Sequence, residues 1–448
     1  ILQTKRFLIY IYCILSDKVS VFWFRRDLRL HDNVALYSAL QSSNRVLPVF
    51  IFDENILSQL EKNDARVSFI FLQLKNIQNK LQEINKSLAI FYGNPITIFK
   101  KIISENNIET VYTNSDYEPY ACKRDKEIYN LLIENHILFK TAKDQVIFEK
   151  NEVIKDDGLP YLVFTPYAKK WKEKLHNQPI KQYNSEDYLD RITTHHYPFL
   201  DIEAISFEFS KINTPLFDIS PNIINDYSQK RNFPAVAGTS LLSTHLRFGT
   251  VSIREIILKV NNYNDQTFLN ELVWREFFMQ ILWHFPHTIT KSFKQVYDGI
   301  SWQNNEDFFQ KWCQGNTGYP LVDAGMRELN ATGLMHNRVR MVVASFLCKH
   351  LLIDWRWGEA YFANKLLDYE QSSNVGNWQW AAGSGVDAAP YFRIFNPEEQ
   401  QKKFDKDLQY IKKWVPEYGT TMYSKPIVNH KIAREKCLEI YKKALNRI

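Results

Sequence analysis

The chain has 448 residues, with 45% hydrophobic and 24% charged, which excludes a disordered chain and calls for two or three domains. No run of 18 apolar residues is present, so a membrane span is not expected. The net charge of +6 lies in the second half: residues 221–448 hold 28 Lys and Arg against 22 Asp and Glu, whereas residues 1–220 hold 28 of each, as expected where a chain meets a polyanion.

Lys5 and Arg6 precede a short apolar run at 7–15, so residues 1–17 are expected to be a leader outside the fold. Residues 18–141 read as an α/β unit. Continuous apolar and β-branched runs at 19–24, 46–52, 88–92 and 110–114 suit parallel strands buried on both faces. A helical stretch at 66–81, with Phe69, Ile70, Leu74, Ile77 and Leu81 in period, falls between two of them. This alternation implies a doubly wound parallel sheet with right-handed crossovers. No G-x-G-x-x-G turn follows the first strand, so a dinucleotide is not expected there. Residues 142–225, punctuated by Pro160, Pro166, Pro179, Pro198, Pro215 and Pro221, read as an interdomain connector. Residues 226–448 are mostly helical, with 3.6-period apolar faces at 252–260, 268–284, 320–332, 335–350 and 357–367. Nine of eleven tryptophans lie beyond residue 270, in a large helical core or at a surface that stacks bases or a flat cofactor. The five cysteines, Cys13, Cys122, Cys313, Cys348 and Cys437, form no C-x-x-C pair. That argues against a disulfide framework or a cysteine zinc site and fits a reducing, cytoplasmic compartment.

Gly238-Thr239-Ser240-Leu241-Leu242-Ser243 places hydroxyls around a glycine at a helix start, either a phosphate cradle or a plain helix cap. Glu271, Trp274 and Arg275 share one face of the 268–284 helix. Asn337 and Met341, at i and i+4, are flanked by Arg338 and Arg340, groups suited to base edges and phosphates. Residues 368–380 are polar with two tryptophans and read as a loop lining a site. The run 387–397 interleaves aromatics with Arg393, as single-stranded nucleic-acid surfaces do.

Taken together these motifs resemble the photolyase/cryptochrome family. The match runs from Val21 to about Lys431, dense in Trp-Phe-Arg-Arg-Asp-Leu-Arg-Leu-His-Asp-Asn (23–33), in the segments from Phe233, Glu271 and Gly318, and from Asn330 to Pro397. In detail it looks like class I cyclobutane pyrimidine dimer photolyase. Members acting on (6-4) photoproducts carry two histidines where this chain has Asn337 and Met341.

The resemblance implies a Rossmann-like antenna domain, then an all-α domain binding FAD and DNA. It implies light-driven repair of cyclobutane dimers by electron transfer from FADH⁻, acting as a monomer on UV-damaged DNA with the dimer flipped out. A cryptochrome-like photoreceptor is the alternative. Tyr227, Thr239, Ser240, Leu241, Leu242, Ser243, Phe268, Asp368, Tyr369, Glu370 and Asn374 would hold FAD. Arg231, Glu271, Trp274, Arg275, Asn337, Arg338, Met341, Trp380 and Arg393 would meet the lesion and its DNA. Glu271 and Asn374 would act directly, and Trp378, Trp355 and Trp302 would relay electrons. Phe268 and Glu370 stand where the family often has Trp and Asp. Glu118 alone fits a folate-contact position, which leaves methenyltetrahydrofolate, a deazaflavin or no antenna chromophore open. No metal is implied.

Overall fold

A computed structural model describes residues 18–445; the expected leader, 1–17, lies outside them. The chain divides into two units. The first takes the described residues up to Glu149, then Pro179–Lys211 and His245–Lys259. The second takes Lys150–Gln178, Ile212–Thr244 and the chain from Val260 onward. The stretch expected as a connector is therefore shared between the units.

The first unit is built on five parallel strands, β1 (Val19–Phe24), β2 (Val46–Asp53), β3 (Ala89–Gly93), β4 (Ile108–Asn114) and β5 (Leu138–Ala142), in the order β3-β2-β1-β4-β5. This is the doubly wound sheet expected from the alternating runs. Every residue of β1 and β2 is buried. Because strand side chains alternate faces, Phe22 and Phe24 join Phe50 and Phe52 in one apolar layer, and Val21 and Trp23 join Val49 and Ile51 in the other. Helices α1 (Val34–Ser42), α2 (Ala65–Gln82), α3 (Pro95–Glu105) and α4 (Pro119–Glu134) connect the strands. Strand β5 was not expected: it is short and largely exposed, so no apolar run marks it.

The arginine-rich motif after β1 turns inward. Asp144 accepts from Arg29 at 2.7 and 2.8 Å and from Arg254 at 2.8 Å, and Arg254 reaches Asp32 at 2.9 Å. Burial pushes the Asp144 carboxyl up, but the two guanidinium groups outweigh it and hold it below its ordinary range. Truncating one member of such a buried network leaves its partners unpaired at a cost of several kcal/mol, roughly 3–5.

The second unit is helical. Its main elements are α5 (Phe164–Asn177), α6 (Thr267–His284), α7 (Pro320–Thr332), α8 (Asn337–Lys349), α9 (Trp355–Lys365), α10 (Gln371–Ala382) and α11 (His430–Leu445). Helix α10 packs against α6, α8 and α9. It comes close to α6 at Gly376, where an added Cβ would sit 2.3 Å from the Phe278 ring. Side-chain caps set two helix starts. His336 Nδ1 accepts from the Arg338 N–H and begins α8 two residues later than the periodicity suggests; Asp354 caps α9 two residues earlier.

The polar segment read as a loop at 368–380 is helix from Gln371 onward. One side of α10 lines a polar cleft while Val375, Trp378, Ala381 and Ala382 enter the core. The apolar period is diluted, and the sequence mimics a loop. Among the described residues no helix is long and apolar enough to cross a membrane, and Cys122, Cys313, Cys348 and Cys437 are free thiols.

Candidate functional site

The cleft in the helical unit has about 590 Å³ of free space, part of it open to solvent. Helix α8 contributes Asn337, Arg340, Met341 and Ala344, and α9 contributes Phe362. The segment between α9 and α10 brings Leu366, Asp368, Tyr369 and Glu370. Helix α10 adds Ser373, Asn374, Asn377, Trp378, Trp380 and Ala381. Seven residues that the resemblance assigned to cofactor or lesion thus line one cavity, Asn337, Met341, Asp368, Tyr369, Glu370, Asn374 and Trp380, together with Trp378 of the relay. Asn337 and Asn374 lie in the first turns of α8 and α10, so both helix N-termini face the cleft, an arrangement that favours anionic and acceptor-rich ligands.

The polar groups are held in place. Asp368 accepts from Arg340 at 2.9 and 3.1 Å. Glu370 accepts from Arg275 at 3.2 Å and from Ser373 Oγ at 3.3 Å. Asn374 donates both amide bonds to Glu359, 2.9 Å to Oε1 and 3.1 Å to the carbonyl. Its orientation is thereby set, with Oδ1 left as an acceptor. Burial raises the pKa of Glu359, partly offset by the bonds from Asn374 and Tyr369. Trp378 is buried, with Phe362 edge-on at 5.0 Å and Trp312 at 6.2 Å. Glu359 and Trp312 were not singled out as functional from sequence, and Arg340, read there as suited to phosphate, donates instead to Asp368. Arg340 was visible as one of two arginines flanking Asn337; nothing local marks Glu359.

The shared face of α6 appears as expected. Glu271 pairs with Arg231 at 2.5 Å, and Arg275 reaches Glu370 at the cleft. Burial raises the pKa of Glu271 and Arg231 opposes it, leaving the carboxyl above its ordinary range. Trp274, between them, stacks on Phe164 with ring centroids 3.7 Å apart. Phe268, one turn earlier, meets Tyr227 edge-on at 5.0 Å. Arg338 donates to Asn232 at 2.6 Å and lies 4.4 Å over the Phe404 ring. Burial, then nearby Arg231 and Arg393, lower its pKa. Two guanidinium groups within electrostatic reach of Arg338 repel it until an anion joins them.

At 239–243, Ser240 and Leu242 are buried. Leu241 adopts the left-handed conformation (φ 53°), a strain of about 1–3 kcal/mol found preferentially at ligand clamps. The next residue, Thr244, has its hydroxyl buried without a partner. Trp355 is buried and Trp302 partly so, with Tyr441 edge-on to Trp302 at 6.1 Å. Glu118 lies in the first unit, where Arg26 at 3.2 Å and Arg247 at 3.4 Å engage its carboxylate.

Residues 20–184 match the family described as DNA photolyase, and residues 268–422 match the FAD binding domain of DNA photolyase. The deoxyribodipyrimidine photo-lyase of Escherichia coli is 36% identical over 94% of this chain and 98% of its own length. A class III photolyase structure from Agrobacterium tumefaciens superposes with a TM-score of 0.80 at 33% identity, over 96% of this chain and 98% of that one. An archaeal photolyase from Sulfolobus tokodaii, solved with two FAD molecules, gives 0.81 at 34% identity over 95% and 100%. One neighbour being class III, these likenesses reach the family and not the class I reading. The cleft fits the FAD that the matched domain binds. An acceptor fixed at Asn374, carboxylates held by arginines and aromatic walls suit a flavin's polar edge and ring system. With both domain families matched in order and more than a third of residues shared with a full-length enzyme of the same kind, the chain belongs to the photolyase/cryptochrome family.

Proposed function

We propose that this protein uses light to reverse cyclobutane pyrimidine dimers in DNA, as a class I photolyase acting as a cytoplasmic monomer. The observation that carries the reading is the convergence of Asn337, Met341, Asn374 and Trp380 on one cleft. When bound, a reduced flavin supplies blue-light-driven one-electron donation, for which no side chain is strong enough. Tyr227, Thr239 to Ser243, Phe268, Asp368, Tyr369, Glu370 and Asn374 would hold it.

The chain's own residues would do the rest. Photolyases act on an extruded base, and a damaged pair is extruded at a cost of only a few kcal/mol. Trp274 and Trp380 would stack on the swung-out dimer, each stacked base contributing about 1–3 kcal/mol. Asn337 would hydrogen-bond a pyrimidine edge, and Met341 would exclude water. Glu271, held by Arg231 at 2.5 Å, would hydrogen-bond a pyrimidine edge. Arg231, Arg338 and Arg393 would neutralise flanking phosphates. Trp378, Trp355 and Trp302 would form the relay between cleft and surface, and Glu118 would contact any folate or deazaflavin antenna.

The test is repair itself. An oligonucleotide with one thymine dimer, mixed with the reduced protein under blue light, should regain the ultraviolet absorbance of intact thymines, and should not in the dark. Light-dependent binding of a partner protein without repair would reject this reading in favour of a cryptochrome-like receptor.

A further inference from the structure

We infer that Phe164 is a positioning residue for lesion recognition, fixing the plane of Trp274 by stacking on one of its faces. The inference rests on the reading of Trp274 as a wall of the lesion pocket. The two rings lie 3.7 Å apart between centroids and 6° from parallel. Phe277 meets the same indole edge-on at 5.5 Å and 84°. Trp274 nevertheless keeps part of its surface exposed. With Phe164 on one face and Phe278 at 5.4 Å, tilted 30°, the remaining exposed part is what a base can use, and its orientation is set before a ligand arrives.

Phe164 is itself held from two directions. It is the first residue of α5, and α5 is docked on α6 by the Trp171 indole N–H donating to Glu276 Oε1 at 2.7 Å. Tyr167 adds a ring contact to Phe277 at 5.2 Å. The Phe164 backbone N–H donates to Asp387 Oδ2 at 3.1 Å. Asp387 adopts the left-handed conformation (φ 47°) at the start of the aromatic segment that carries Arg393. The stack therefore ties the indole to the loop assigned to DNA contact. Phe164 is only half-buried, so packing alone does not require a flat stack there. Its ring offers nothing polar to a substrate, and its effect has to pass through Trp274. An indole already immobilised spares the complex the ordering cost of that side chain; together with the stacking term this corresponds to about five- to tenfold in affinity.

The test measures dissociation constants of the full-length protein in the dark, for a duplex carrying one thymine dimer and for the same duplex undamaged. Phe164→Leu should bind the dimer duplex about five- to tenfold more weakly, leave undamaged binding unchanged and keep its visible flavin absorbance. Phe164→Tyr should retain wild-type affinity. In a Trp274→Leu background, Phe164→Leu should add less than about twofold. Equal weakening toward both duplexes, the same cost in both backgrounds, or loss of flavin would overturn the positioning role in favour of a structural one. If Trp274→Leu weakens dimer binding and Phe164→Leu does not, only this inference falls. If Trp274→Leu has no effect, the lesion-wall reading falls with it.

Discussion

Gly358 lies in the first turn of α9 beneath the indole of Trp378. Its replacement by alanine sets two effects against each other. Alanine in a helix is worth up to about 1 kcal/mol over glycine, so propensity alone predicts stabilisation. The added Cβ, however, would lie 2.1 Å from Trp378 Cη2, 2.4 Å from Cζ3 and 2.6 Å from Leu347 Cδ2. Ordinary carbon contacts are about 3.5–4.0 Å, so the buried indole has to move by more than about 1 Å. Overpacking of this kind costs about 1–3 kcal/mol, and the clash wins. Trp378 also lines the cleft, so its displacement encroaches on the flavin site. At about 1 °C per kcal/mol for a chain of this length, Gly358→Ala should lower the melting temperature by roughly 1–3 °C and reduce the flavin bound per protein. The assay pairs thermal unfolding with visible absorbance of the purified protein. A variant that melts higher and keeps its flavin would refute the reasoning.

Three further outcomes follow from the same geometry. Arg340→Ala leaves Asp368, whose side chain is 6% exposed, without its guanidinium. It should cost about 1–3 kcal/mol in denaturant unfolding and weaken flavin retention, with Arg340→Lys recovering part of both. Arg393→Ala should reduce the slope of log affinity against log salt by about 1, on damaged and undamaged DNA alike; an unchanged slope removes Arg393 from the phosphate contacts. His350 is buried and shares a 2.8 Å hydrogen bond with His430, and burial with nearby His430 and Lys349 lowers its pKa to about 3 from 6.5. A depressed imidazole favours the folded state above its unfolded value, and that contribution is lost as pH falls toward the folded value. His350→Gln should therefore flatten the fall in melting temperature between pH 6.5 and about 3.

The strands of the sheet were legible because β1 and β2 are buried on both faces and so appear as unbroken apolar runs. Strand β5 escaped notice because its edge position leaves Leu138 exposed. The helices of the second unit were legible wherever one face met water. Their ends shifted where a local cap, His336 or Asp354, overrode the hydrophobic period. Helix α10 was misread because a helix that lines a polar cleft carries asparagine and serine where an amphipathic pattern needs apolar residues. Asn337, Met341 and Trp380 were placed by resemblance to long motifs, and the structure brings them to one cavity. The pairings of Arg340, Glu359 and Phe164 were missed for a common reason. Each acts on a residue distant in sequence, Asp368, Asn374 and Trp274, and local spacing carries no trace of such pairings.

The central claim is that flavin and lesion meet in one cleft walled by α8 and α10. The most direct measurement is the flavin's visible absorption band before and after a dimer-containing oligonucleotide is added in the dark. The account predicts a shift of that band with the dimer, none with undamaged DNA, and loss of the shift in Asn337→Ala or Trp380→Ala. A colourless protein, or a band indifferent to the dimer at saturating DNA, would contradict it.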